Sequence, residues 1–313
     1  MARTVRLPKL IVAFQIQPVD TYLRNVILSI SVFTMCDAEV LNDFRPSAIT
    51  SEYGAVSQVE FSTGLIGLEP QILAAHMPQA MRNFSFAESV WIIAYRTEIV
   101  DANGRPPVEN YLCHTFFGDQ HVSQREDQEM RGLYTDAFTP DVRLPEGLGV
   151  RVVAGDSIHW MPMFNNRGDA MARVRMKVRL SVIREKDLKK PVTQLYATLR
   201  SVSMPHLYFV QPGNDTRQTT FKLDFEGKIH FLGTHIHPYG SEVELFNLSR
   251  NELVWRGARK GKAGHVSEMG VYSDVKGYEV RPGEMFRVKV EYQNPTKGPI
   301  DAMGGLYVLY SRK

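Results

Sequence analysis

The stretch AMARVRMKVRLSVI, residues 170–183, decides the fold class. In it Ala172, Val174, Met176, Val178, Leu180 and Val182 alternate with Arg173, Arg175, Lys177, Arg179 and Ser181. Successive side chains of an extended chain leave on opposite faces, so this period of two describes a long strand with one face in a core and one in water. MFRVKVEYQ (285–293) repeats the scheme, setting Phe286, Val288, Val290 and Tyr292 against Arg287, Lys289 and Glu291. SEVELFNL (241–248), LYVLYS (306–311), HLYFVQ (206–211) and NVILSISVF (25–33) read as further strands, the last more deeply buried. Helical signal is confined to LEPQILAAHMPQAMRNF (68–84), which predicts one or two short turns interrupted by Pro78.

Strands at short intervals, punctuated by NG, PG, EG and NN dipeptides, predict an all-β protein of sandwich or jelly-roll type. One sandwich rarely needs 313 residues. The charged, proline-containing stretch REKDLKKPVTQ (184–194) is the expected boundary, giving two tandem antiparallel β-sandwiches over 1–188 and 195–313. No internal repeat or low-complexity segment interrupts that division.

Composition narrows the function classes. The formal charge of +3 comes from 37 basic and 34 acidic residues, well mixed. No basic stripe is interleaved with exposed aromatics, so no nucleic-acid partner is expected, and GARKGKAG (257–264) reads as a solvated loop. No segment is apolar for long enough to predict a membrane span. Two cysteines, Cys36 and Cys113, make at most one disulfide and no disulfide scaffold. The N-terminal run MARTVRLPKLIVAF is broken early by Pro8 and carries no cleavage site of signal-peptide type, so the compartment stays open: cytoplasm, or a chain that begins after processing.

Chemistry is concentrated in FLGTHIHPYG (231–240). On a strand His235 and His237 share a face, Ile236 takes the other, and two imidazoles so placed can hold one metal ion. The competing reading is a pair of hydrogen-bonded histidines at a sheet rim, without metal. A third ligand is offered by GPIDAMGGLYVLY (298–310), where Met303 opens the last strand and two glycines leave room for close approach. A thioether is soft and favours Cu(I). Tyr239 and Asp301 are candidates to receive the outer N–H of a ligating imidazole.

His235, His237 and Met303, with Tyr307 in the following LYVLY strand, resemble the catalytic domain of the copper type II, ascorbate-dependent monooxygenases, the peptidylglycine hydroxylating and dopamine β-monooxygenases. The resemblance covers most of the C-terminal half. It implies two β-sandwiches, each with a copper, facing one another across a solvent-filled cleft. It also implies dioxygen chemistry at the His/His/Met copper, a one-electron reductant such as ascorbate, a small or peptide-like substrate, and an extracytoplasmic setting. In the N-terminal half the match is thinner. NYLCHTFFGD (110–119) puts Cys113 and His114 where that family has two histidines, and GDSIHWMPMFNN (155–166) puts Met163 in place of a third. His159 and Met161 share its strand face as reserves. The expected copper count is therefore one, or two if Cys113, His114 and Met163 bind as well. Gly233 stands near where the peptide-amidating members carry a carboxylate-binding arginine, so peptide amidation is not expected.

Two other classes compete. A cupin barrel would follow its H-x-H with a glutamate, as Glu242 does here, yet no histidine lies near Val280–Pro282 for its second motif. A non-catalytic structural or binding protein, an assembly component or homo-oligomer that keeps a metal site, also fits, because fold does not fix function.

Overall fold

The computed structural model describes residues 39–73, 82–107, 109, 111–119, 131–204, 206–262 and 265–313. The strand expected at 25–33, Cys36, and the 74–81 part of the expected helical turns lie outside them. The described ends of that turn segment are extended: Leu68 closes one strand and Arg82 opens another, and no helix occurs among the described residues.

The chain is all-β, two tandem sandwiches of jelly-roll type. In the first, one sheet runs β1 (Glu39–Leu41), β5 (Arg82–Phe86), β11 (Ile158–Phe164), β7 (Leu112–Asp119), β8 (Gly132–Asp136). Its partner sheet runs β13 (Thr193–Gln194), β10 (Leu148–Val152), β6 (Val90–Asp101), β12 (Ala172–Leu188), β3 (Gly54–Ser62), β2 (Arg45–Pro46), with β4 (Ile66–Leu68) on β12 and β9 (Asp141–Arg143) on β6. In the second sandwich, β14 (Tyr196–Ser201), β24 (Gly304–Arg312), β17 (Gly227–Ile236) and β21 (Tyr272–Val280) make one sheet. The other is β16 (Gly213–Leu223), β22 (Glu284–Asn294), β18 (Gly240–Asn247), β19 (Glu252–Lys262), β20 (His265–Met269), with β15 (Tyr208–Val210) and β23 (Ile300–Ala302) as a small ribbon. Pairing is antiparallel throughout these sheets except between β1 and β5 and between β10 and β13.

The alternation in 170–183 is realised in β12, the central strand between β6 and β3, where Val174, Met176, Val178, Leu180 and Val182 are fully buried. Phe61 of β3 meets Phe84, Phe117 and Trp160 of the opposing sheet at ring-centroid distances of 4.8, 6.2 and 5.0 Å, so aromatic rings fill the space between the two sheets. In the second sandwich Phe286, Val288 and Val290 of β22 close against Ile229 and Leu232 of β17 and Leu306 and Val308 of β24.

The stretch 184–194 is not a free linker. Residues 184–188 finish β12, and Thr193–Gln194 pair with β10 before Leu195, fully buried, hands the chain to β14. The described residues of the two sandwiches belong to a single compact unit. Its cause is one sheet with two apolar faces: in β24, Leu306, Val308 and Tyr310 enter the second core while Tyr307 and Leu309 join the first, and Phe231 of β17 does the same. The Tyr307 hydroxyl crosses this seam to donate to the Gly132 carbonyl at 2.8 Å.

Two buried carboxylates of the second sandwich set its acid sensitivity. Burial works against ionised Glu244, but hydrogen bonds from Arg256 and Arg287 and the nearby Lys289 outweigh it and hold the carboxyl below its ordinary range. Glu284 is held down likewise, burial being outweighed by the Arg281 backbone N–H and Arg250. A depressed folded-state pKa gives stability that is present above the unfolded value, about 4.3 for Glu, and is lost as pH falls through the folded value. The thermal midpoint should therefore drop as pH falls below about 5, and Glu244→Gln should flatten that decline. Equal slopes for both proteins between pH 6 and pH 3 would refute the assignment.

Candidate metal centre

The seam-facing side of β17 carries Phe231, Gly233 and His235, and His237 continues the same parity one residue past the strand's end. Leu232 and Ile236 take the other face and enter the second core. The backbone at His237 is fixed by its N–H, which donates to the Tyr292 hydroxyl at 2.8 Å, and that hydroxyl donates to the Met303 carbonyl. The chain then turns away through the 3.1 Å bond from Gly240 N–H to the His237 carbonyl, with Tyr239 at φ 74°.

The facing ligand comes from the first sandwich. Between β11 and β7 the register runs Met163 opposite His114 and then Phe164 opposite Leu112, leaving Cys113 as an extra residue. Such a β-bulge re-aims side chains, and here it lets sequence neighbours Cys113 and His114 approach one another, Sγ to Nδ1 3.2 Å, instead of parting to opposite faces. Across the seam Cys113 Sγ stands 3.8 Å from His235 Nε2 and 3.6 Å from His237 Nε2. These three ligand atoms all lie within 4.8 Å of one another, and they are the one such cluster among the described residues.

Both imidazoles are braced from behind. His237 Nδ1–H donates to Asp301 Oδ2 at 2.6 Å, and Asp301 is clamped by both terminal nitrogens of Arg167 at 2.5 and 2.7 Å. His235 Nδ1 faces Asp136 Oδ2 at 3.5 Å, an ionic contact without hydrogen-bond alignment, which leaves both buried atoms otherwise unpartnered. The other oxygen of Asp136 is held by the backbone N–H groups of Phe138 and Thr139 and by the Thr139 hydroxyl. Carboxylate-braced Nδ1 atoms direct two Nε2 lone pairs toward one sulfur, the usual arrangement behind metal-ligating histidines. A Cys–His nucleophile pair needs one imidazole, not two.

The charges agree. Burial disfavours a Cys113 thiolate, but His114 and His235 outweigh it and hold the thiol well below its ordinary value. Burial also works against a charged His235, yet Asp136 and Cys113 carry that ring up to about 9. Burial would raise Asp301; Arg167 and His237 hold it well below the usual carboxylate range instead. Metal binding by such groups displaces the protons they carry, so affinity falls as pH falls. Thiolate with imidazole suits zinc and Cu(I).

The other sequence candidates fall into place around this cluster. Met303 is half-buried and lines a cavity of about 120 Å³ together with His114, His235, Tyr134 and Tyr307. The glycines after it serve packing: a Cβ on Gly304 would meet Val290 at 3.0 Å and one on Gly305 the Arg200 carbonyl at 2.7 Å. Tyr307 is buried, and its hydroxyl donates to the Gly132 carbonyl. Met163 lies directly opposite His114 on β11. His159, opposite Gly118, lies four residues and so about 13 Å further along that strand, away from the cluster. Asp301 receives an imidazole N–H as the sequence predicts; Tyr239 instead offers its carbonyl to Gln293 N–H. Glu242 pairs with Arg256 at 3.2 Å. His230 is a second bulge residue of β17, buried and satisfied by the Asp274 carbonyl and the Ser311 hydroxyl. Asp136 and Arg167 carry no motif, and sequence reasoning missed them.

No family model matches the chain, and no curated protein matches it in sequence. Among solved structures it is similar to the major capsid protein P2 of bacteriophage PM2, at 9% identity over 81% of this chain and 98% of that one, with a TM-score of 0.36. It is also similar to the structure of infectious bursal disease virus Gx strain, at 8% identity over 85% and 73%, with a TM-score of 0.22. Both likenesses are remote.

Proposed function

We propose that this chain is a non-catalytic, two-sandwich structural protein in which one soft metal ion, held by Cys113, His235 and His237, ties the first sandwich to the second. The observation that carries this reading is the origin of the ligands: a buried sulfur from β7 and two imidazole nitrogens from the end of β17, that of buried His237 and that of half-buried His235, within 4.8 Å across the seam. Zinc or Cu(I) is the class of ion such a donor set takes. An ion bound there resists relative displacement of the two sandwiches, because release of either side opens its coordination shell.

The copper monooxygenase reading keeps one supporting observation, that Met303 and His235 line the same cavity. Against it, Cys113, which that reading assigns to the N-terminal copper, stands with the C-terminal pair instead.

Anaerobic titration of the reduced full chain with Zn(II), and separately with Cu(I), tests the proposal. The expected result is a single tight ion per chain, lost in Cys113→Ser and in His237→Ala, with no ascorbate-dependent oxygen uptake by the copper-loaded protein. Tight binding that survives Cys113→Ser, or sustained oxygen uptake, would sink it.

A further inference from the structure

The three ligands leave a four-coordinate ion one short. Resting on the metal reading above, we infer that His114 is the fourth ligand, entering through Nδ1 to close the site as a Cys/His/His/His tetrahedron.

The first support is metric. With metal–sulfur bonds of about 2.3 Å and metal–nitrogen bonds of about 2.0–2.1 Å, the sulfur-to-nitrogen edge of a tetrahedron is about 3.5 Å. Cys113 Sγ stands 3.2 Å from His114 Nδ1, 3.8 Å from His235 Nε2 and 3.6 Å from His237 Nε2, so each contact matches that edge to within about 0.3 Å. The second is backbone geometry: the bulge at Cys113 brings His114 to the sulfur, where regular pleating would carry the two side chains apart. The third is what holds the ring. His235 and His237 are each set against a carboxylate, whereas among the described residues the ring contacts of His114 besides the sulfur are Tyr134, stacked at 5.7 Å, and His235, edge-on at 4.7 Å. His114 also borders the cavity of about 120 Å³, which gives its ring room to turn. It stands outside the set whose ligand atoms all lie within 4.8 Å, so closing the site requires this ring to turn about its contact with the sulfur. A site closed this way has no coordination position left for dioxygen, which suits a structural ion.

Substitution of Co(II) in the full chain reads both the thiolate and the coordination number. The wild type should show thiolate-to-cobalt charge transfer together with the intense d–d bands of a tetrahedral ion. In His114→Ala and His114→Gln the charge transfer should persist while the d–d bands shift and weaken, as water replaces a nitrogen ligand. Affinity should drop by more than the about 10–100-fold that loss of an outer-shell partner costs. Added imidazole should restore the tetrahedral spectrum of His114→Ala, which also shows that the variant is folded. Unchanged d–d bands in both variants, whatever happens to affinity, would overturn the fourth-ligand role and leave the three-ligand site standing. Absence of thiolate charge transfer in the wild type would overturn the metal reading itself.

Discussion

Stripping the metal from the loaded protein is expected to lower its thermal midpoint by on the order of 10 °C. An ion that binds the folded chain alone, present at about 1,000 times its dissociation constant, contributes about 4 kcal/mol. For chains of this size each kcal/mol moves the midpoint by about 2–4 °C. Calorimetry at two free-metal concentrations gives the number directly. Cys113→Ser should be insensitive to metal and melt near the stripped wild type. A midpoint that ignores metal in the wild type would mean that the ion, if bound, does not hold the sandwiches together.

Trp160→Ala should be the most damaging single substitution in the first sandwich, at about 3–5 kcal/mol. The indole is 1% exposed, stacks on Phe117 at 5.9 Å, meets Phe61 edge-on at 5.0 Å and donates from Nε1 to the Thr115 hydroxyl at 2.9 Å. Removing it leaves a large void between two sheets that both depend on the same rings, and takes the donor from a buried hydroxyl that keeps only its bond to the Met161 carbonyl. Trp160→Phe keeps an aromatic surface in the gap and should cost less. Urea unfolding at constant m-value measures both. A loss below about 1 kcal/mol for the alanine variant would show that the sheets collapse onto the space, contrary to a rigidly packed interior. Thr115 lies two residues from Cys113, so a shift of β7 in the alanine variant would also appear as weakened metal binding.

The strands were legible because burial writes itself into the chain with a period of two, as β12 and β22 show residue by residue. The shared face of His235 and His237 followed from that periodicity alone. Cys113 was visible as a soft ligand, but its partners were not. The bulge that turns it beside His114 involves no glycine or proline, only one extra residue against β11, and leaves no mark in composition. The meeting of β7 with the end of β17 is a contact between distant segments, fixed by how the β14–β24–β17–β21 sheet lies on the first sandwich. Asp136 was equally hidden: it pairs with His114 in register and faces His235 from another sandwich. The segment 184–194 is taken up by strand rather than loop: β12 runs on through its first five residues and β13 pairs with β10 at its end, a use that its charge and proline do not reveal.

That a single sheet supplies apolar residues to two interiors sets a limit on modularity. A chain cut at Leu195 would not yield two independent folding units. The C-terminal fragment would present Ala197, Phe231, Tyr307 and Leu309 to solvent as one continuous oily surface, and the N-terminal fragment would lose the lid over its own aromatic interior. Expression and unfolding are thus bound to the whole described body, because β24 is greasy on both sides.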